Sequence, residues 1–138
     1  MNIFMSTHAS ITLKTKDNKY KSVYLHHDGY ISDAGEKLKN YYNTYEKVDQ
    51  LLNLGNLSSL GENPIDEPKL WDMDYYFEMM KNSPKKIDYA CRTYKGRGDT
   101  DEDAIVVDDL KDIPFQEYEY LFENGKWYLL DGTDKVEF

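Results

Sequence analysis

The chain predicts an α+β fold: an antiparallel sheet of about five or six strands with two or three short helices packed mainly on one face. Three observations carry that expectation. Two alternating runs near the start flank the turn Asp17-Asn18-Lys19, and two more near the end are joined by Asn124-Gly125, the strongest hairpin signal in the chain. Between them, apolar residues recur at helical rather than alternating spacing. No strand–helix–strand–helix alternation asks for a doubly wound parallel sheet.

Taken in order, His8–Lys16 sets Ala9, Ile11 and Leu13 on one face and Ser10, Thr12 and Lys14 on the other, which is a strand. Tyr20–His27 alternates again, with Val23 and Leu25 opposed to Tyr24 and His26. A hairpin turn of about two or three residues would lay His8 opposite His27 to Gly29. Ser32 or Asp33 can cap a helix through Tyr42, with Ala34, Leu38 and Tyr41 as its inner face. Thr44 caps a second helix with Val48, Leu51 and Leu52 as its stripe, and Gly55 stands where a left-handed residue ends one. Asn63–Pro68 is a loop. Asp72 or Asp74 starts a third helix that carries Tyr76, Phe77 and Met80 and is ended by Asn82-Ser83-Pro84.

Ile87, Tyr89, Cys91 and Thr93 alternate with Asp88, Ala90, Arg92 and Tyr94, a further strand with Cys91 in the core. Lys95–Asp103 reads as a loop, and Ala104–Val107 as a short strand or the lead into a short helix near Asp109–Ile113. Glu117–Glu123 and Lys126–Leu130 are the arms of the Asn124-Gly125 hairpin, and Asp131-Gly132-Thr133 turns into a last short strand.

The 138 residues amount to one domain, 1–138, with 1–6 expected to fray. A 40 % apolar content argues for a folded protein although the mean hydropathy is −0.80. No apolar run reaches the roughly 18 residues of a membrane span, and Met1-Asn-Ile-Phe-Met-Ser lacks the basic flank and apolar stretch of an export signal. With Cys91 as the one cysteine there is no internal disulfide, and the expectation is a reducing cytoplasm. A net charge of −9 repels nucleic-acid phosphates, so direct nucleic-acid binding is not expected. The same charge suits a basic protein partner. Thirteen tyrosines fit half-buried strands, stacking and interfaces, and a homodimer is compatible with them.

Tyr24–Gly61 carries a motif pattern: His26-His27-Asp28-Gly29-Tyr30, Tyr41-Tyr42, Lys47-Val48 and Leu54-Gly-Asn-Leu-Ser-Ser-Leu-Gly61, preceded by Ser6-Thr7. This resembles a widespread family of small uncharacterised tailed-phage and prophage proteins with a His-x-Asp-Gly-Tyr and a Leu-Gly-x-Leu-Ser-Ser-Leu-Gly signature. Tyr94-Lys95-Gly96-Arg97-Gly98-Asp99 matches the family's basic loop in part, and Tyr118–Tyr128 matches its closing aromatic hairpin. His8 stands where the family often has arginine, and Ile31 where it often has proline. The resemblance implies a phage or mobile-element setting and the cytoplasm of a host bacterium, not a reaction.

Two groups of residues could carry chemistry. His26, Asp28 and Tyr30 end a strand at a glycine turn. Arg92, Tyr94, Lys95 and Arg97 concentrate positive charge around an aromatic ring, a seat for phosphates and a stacked base. Set against this, the same cations can pair with Asp99, Asp101, Glu102 and Asp103. A metal site would need His8 to join His27 and Asp28 across the hairpin, since neighbouring strand residues such as His26 and His27 point to opposite faces. No metal or other cofactor is expected. No Gly-x-Ser-x-Gly elbow is present. The resulting expectation is an accessory protein acting by stoichiometric binding, in counter-defence against host immunity by sequestering a nucleotide-type signal. The alternatives are an acidic nucleic-acid mimic that blocks a basic host defence protein, and a small nucleotide-processing enzyme at His26 and Asp28.

Overall fold

The computed structural model describes residues 7–138, so the fraying expected for residues 1–6 lies outside the described residues. Strands β1 (Ala9–Lys14) and β2 (Tyr20–Leu25) form the expected hairpin, with Ala9 opposite Leu25 and Lys14 opposite Tyr20. The loop runs from Thr15 to Lys19, longer than the tight turn expected. Asn18 takes φ +61°, which a short amide side chain tolerates, and Thr15 N donates to Lys19 O over 2.8 Å. This register brings His8 to His26, rather than to His27–Gly29.

A wide turn at Ile31–Gly35 passes directly into helix α1 (Glu36–Tyr41). Gly35 N reaches back to Tyr30 O at 3.4 Å, so the helical path opens at Tyr30 with no side-chain cap, and neither Ser32 nor Asp33 caps it. The inner face is Ala34, Leu38 and Tyr42 at steps of four. Tyr41, expected inside, is 39 % exposed. Helix α2 (Tyr45–Leu52) follows the expectation: Thr44 accepts from Lys47 N, and Val48, Leu51 and Leu52 are fully buried. Gly55 closes it at φ +83°.

Strand β3 (Leu57–Ser59) is followed by a 3₁₀ turn at Pro68–Trp71, helix α3 (Met73–Asn82) capped by Asp72, and helix α4 (Pro84–Ile87). The long strand expected over Ile87–Tyr94 shrinks to β4 (Arg92–Thr93) and then a helical turn, α5 (Tyr94–Arg97). Proline at Pro84 starts another turn of helix, and Thr93 caps α5 by accepting from Gly96 N over 2.8 Å. Cys91 keeps only an isolated parallel bridge to Asp66. The chain finishes with β5 (Ile105–Val107), a 3₁₀ turn at Leu110–Asp112, β6 (Tyr118–Glu123), β7 (Lys126–Asp131) and β8 (Asp134–Glu137).

Among the described residues these strands make one eight-stranded sheet, in the order β4-β3-β2-β1-β6-β7-β8, with β5 also on β2. The sheet is mixed rather than antiparallel. β6 runs parallel to β1 from Ala9–Tyr118 to Leu13–Phe122, and β3 meets β2 in parallel at Leu25–Leu57. Short hairpins force antiparallel neighbours. β6 instead reaches β1 through the whole middle of the chain, and a long crossover permits either sense.

Helices α1 and α2 pack on the core side of the sheet, whereas α3 packs against α4 and the Pro68–Trp71 turn, which meets β4, so more helices form than the two or three expected. The core joins Leu38, Tyr42, Val48, Leu51 and Leu52 to Ile11, Leu13, Val23, Leu25, Tyr120, Phe122 and Trp127. Tyr42 donates to Gly61 O and Trp127 Nε1 donates to Tyr42 O, both at 2.8 Å, so each buried ring keeps its polar group satisfied. The polar face of β1 is also buried. Thr12 donates to Ser22 Oγ at 2.9 Å, and Ile113 lies beside Ser10 and Ser22.

The turn after β2 is held by contact at van der Waals limits. A Cβ on Gly29 would fall 2.7 Å from Ala9 Cβ and 2.9 Å from Thr7 O. Gly29 N donates to Thr7 O, and Tyr120 donates to Gly29 O. Gly29→Ala should therefore lower stability in urea unfolding by about 1–3 kcal/mol, the range for forced overpacking.

Candidate functional site

Beyond Leu25 the β2 chain stays tied to β3. His26 N donates to Leu57 O, and His27 N to Ser58 O, both at 3.0 Å. Asp28 then takes φ +58°, turning the chain off the sheet. Because His27 lies in this bend, the two imidazoles do not point to opposite faces. They meet edge to face with centroids 4.6 Å apart.

His26 belongs to a small polar network. The Tyr24 hydroxyl lies 2.6 Å from His26 Nδ1 and 2.9 Å from His8 Nδ1, and His8 Nδ1 is also 2.9 Å from the His26 carbonyl. A carbonyl only accepts, so His8 carries its proton on Nδ1. The Tyr24 hydroxyl hydrogen then goes to His26 Nδ1, which leaves His26 with its N–H on Nε2. His8 is thereby committed to His26 and Tyr24, not to a trio with His27 and Asp28. Among the described residues no group of three His, Cys, Asp or Glu side chains has the arrangement to hold a metal ion.

Desolvation lowers the His26 pKa, helped by His27, His8 and Arg92. Desolvation also lowers that of His27, with Arg92 adding to it and Asp28 opposing. Arg92 is thus close enough to both imidazoles to matter. Its Nε donates to Ser58 Oγ at 3.2 Å, and its guanidinium lies over Trp71 at 4.4 Å and Tyr76 at 5.8 Å. Trp71 is fixed by its own N–H, which donates to Thr93 O at 2.8 Å.

A cleft of about 290 Å³ opens beside this group, lined by His27, Asp28, Asp33, Lys37, Tyr76, Asp88 and Arg92 among others. Lys37 is half-buried and offsets two of its carboxylates, lying 3.3 Å from both Asp33 and Asp88. Among the described residues no carboxylate pairs with Arg92, whereas the other cations of this region are taken: Lys95 by Asp103 at 2.7 Å and Arg97 by Asp99 through two contacts.

The candidate residues therefore divide. Asp28 and Arg92 share the cleft, with His27. His26 stands next to Arg92, outside the cleft lining. Tyr94 is half-buried near Ser58 and Tyr24, and burial raises its pKa. Arg97 lies 4.7 Å from Trp71 and 5.0 Å from Tyr94, facing outward with Asp99. Lys95 points to the acidic loop. Tyr30 is exposed, its pKa raised mainly by the charge of Asp28.

Trp71 and Asn56 are members that sequence reasoning missed. Asn56 ties three segments together, accepting from Tyr24 N at 2.9 Å and Tyr94 N at 3.2 Å and donating to Glu102 O and Oε2 at 2.8 Å. Nothing in local periodicity marks such a residue. Its position just after the helix-ending glycine was the one available hint. Cys91 is core, as expected. Burial pushes its thiol up to about 11, which leaves it a poor nucleophile.

The chain matches no family model, no curated protein and no solved structure.

The two lowered imidazoles have a consequence for stability. The unfolded chain takes up protons near pH 6.5, while the folded one resists them. Stability from this source is therefore present above pH 6.5 and falls as pH drops through that value. Proton–carbon NMR should show His26 and His27 titrating below pH 6.5. The urea midpoint should fall between pH 7.5 and 5.5, by less in His26→Asn.

Proposed function

We propose that this chain works by binding rather than turnover and holds a small nucleotide-type ligand at the Arg92 cleft. The observation that supports this most is the state of Arg92: a guanidinium oriented by Ser58 and the aromatic rings, beside two imidazoles, with no carboxylate partner among the described residues. In a chain of net charge −9, a cation left unpaired while its neighbours are neutralised is available for an anionic group. Phosphate would take Arg92 and His27. Tyr76 offers a ring for stacking, and Asp28 and Asp88 offer acceptors for ribose hydroxyls. The cleft volume sits at the small end of ligand sites, which suits one phosphate-bearing unit of such a ligand, with the rest of the molecule lying outside it.

In the phage setting that the sequence resemblance implies, capture of such a ligand would serve counter-defence in the host cytoplasm by removing a nucleotide immune signal. Among the described residues no helix is long and apolar enough to cross a membrane. A second reading, blockade of a basic defence protein by the acidic surface, draws on the net charge and on Phe115, which stands 82 % exposed beside Gln116 and Glu117.

Calorimetric titration with ADP-ribose and with cyclic dinucleotides tests the leading reading. Saturable binding with one ligand per chain is expected. Arg92→Ala should weaken it by at least about tenfold, the loss of one charge-assisted contact. Arg97→Ala should cost less, because Asp99 already occupies that guanidinium. Salt-sensitive binding to a basic protein with no nucleotide binding would favour the second reading.

A further inference from the structure

Among the described residues helix α3 carries an apolar stripe that stays largely exposed. Met73, Phe77 and Met80 recur at i, i+4 and i+7, and are 58 %, 59 % and 51 % exposed. The helix packs on the body through Tyr75, Tyr76 and Met79, all half-buried, and none of its residues is fully buried. The stripe is therefore a second face, beside the attached one. An apolar hollow of about 300 Å³ lined by Leu70, Tyr75, Met79 and Tyr89 adjoins the same helix.

The charges beside the stripe are arranged symmetrically. Asp74 and Lys81 are one heptad apart, on the same flank, with Phe77 close to their midpoint. When two helices pair antiparallel about a two-fold axis, residues of equivalent flanks face each other. An axis near Phe77 sets Phe77 against its own copy, Met73 against Met80, and Asp74 against Lys81 in both directions. The same two charges complement the dipole at the ends of α3, and the antiparallel pair gives each of them an opposite charge as well.

We propose that this chain associates with a second copy of itself through α3, as an antiparallel, two-fold helix pair centred on Phe77. The contact is short, so the dimer forms and dissociates with concentration. It does not rest on the nucleotide reading, although the two sites adjoin: Phe77 stands edge to face with Tyr76 of the cleft, 6.2 Å between ring centroids.

Sedimentation over a range of concentrations tests it on the full chain. Wild type should move from monomer to dimer, and Phe77→Asp should raise the dissociation constant by at least about tenfold, as for a central anchor. At dilutions where both proteins are monomeric its melting temperature should stay close to the wild-type value, because the side chain is mostly exposed. Asp74→Lys alone and Lys81→Asp alone each create two like-charge pairs per dimer and should weaken association. The double variant Asp74→Lys/Lys81→Asp restores both pairs and should recover it. A chain that stays monomeric at every concentration, a dimer indifferent to Phe77→Asp, or a double variant no better than either single one would overturn the proposal. A stripe covered by a different protein would show as the first of these outcomes.

Discussion

The close approach at Gly29 is the constraint on which the rest of the arrangement depends. A chain leaving β2 must clear the start of β1, and only a residue without a Cβ passes Ala9 and Thr7 at this distance. Once through, its carbonyl is held by the Tyr120 hydroxyl from the far strand β6. That contact reinforces the β1–β6 pairing that joins the first hairpin to the last one. It also sets the point at which the wide turn at Ile31–Gly35 begins, and so the direction in which α1 crosses the sheet with Ala34, Leu38 and Tyr42 inward. Asp28 is carried into the left-handed region by the same turn, and its carboxylate ends up in the cleft.

The site follows from where β2 stops pairing with β1 and keeps pairing with β3. The last paired residues set His26 and His27 beside Ser58, and Ser58 in turn orients Arg92. The surrounding charge is mostly negative, yet it is spent locally: Asp33 and Asp88 on Lys37, Asp99 on Arg97, Asp103 on Lys95. Among the described residues Arg92 is left without a carboxylate partner, and burial, with Arg92 contributing, disfavours the protonated forms of its imidazole neighbours. An incoming anion would reverse that preference, since negative charge beside an imidazole favours its protonated form. The anion preference and the electrostatics of the cleft thus have one cause, the Arg92 charge beside two imidazoles.

Features read correctly from the sequence were those with a local cause. Thr44 caps because its hydroxyl reaches the next amides. Asn124-Gly125 turns because both residues accept positive φ, and Ile11 and Val23 point inward because strands alternate. Features that escaped depend on distant partners. Parallel pairing of β1 with β6 leaves no mark on either strand, because alternation looks the same in both senses. The run Ile87–Thr93 alternates like a strand, but Pro84 and the Thr93 cap give its two ends to helices. Tyr41 and Tyr42 are chemically identical candidates for the inner face, and the wide turn before them decided which was buried. In the site, Asp28 and Arg92 could be picked as candidates by type and position. Trp71 and Asn56 could not, because their roles exist only once three separated segments meet.

The claim that Arg92 is the seat of an anionic ligand is tested most directly by side-chain NMR during addition of ADP-ribose. The account predicts that the Arg92 Nε–H and the His27 and His26 ring resonances shift together and saturate, with the Lys95 ammonium and the Arg97 Nε–H nearly still. Shifts confined to Lys95 and Arg97, or spread over the surface without saturation, would contradict it.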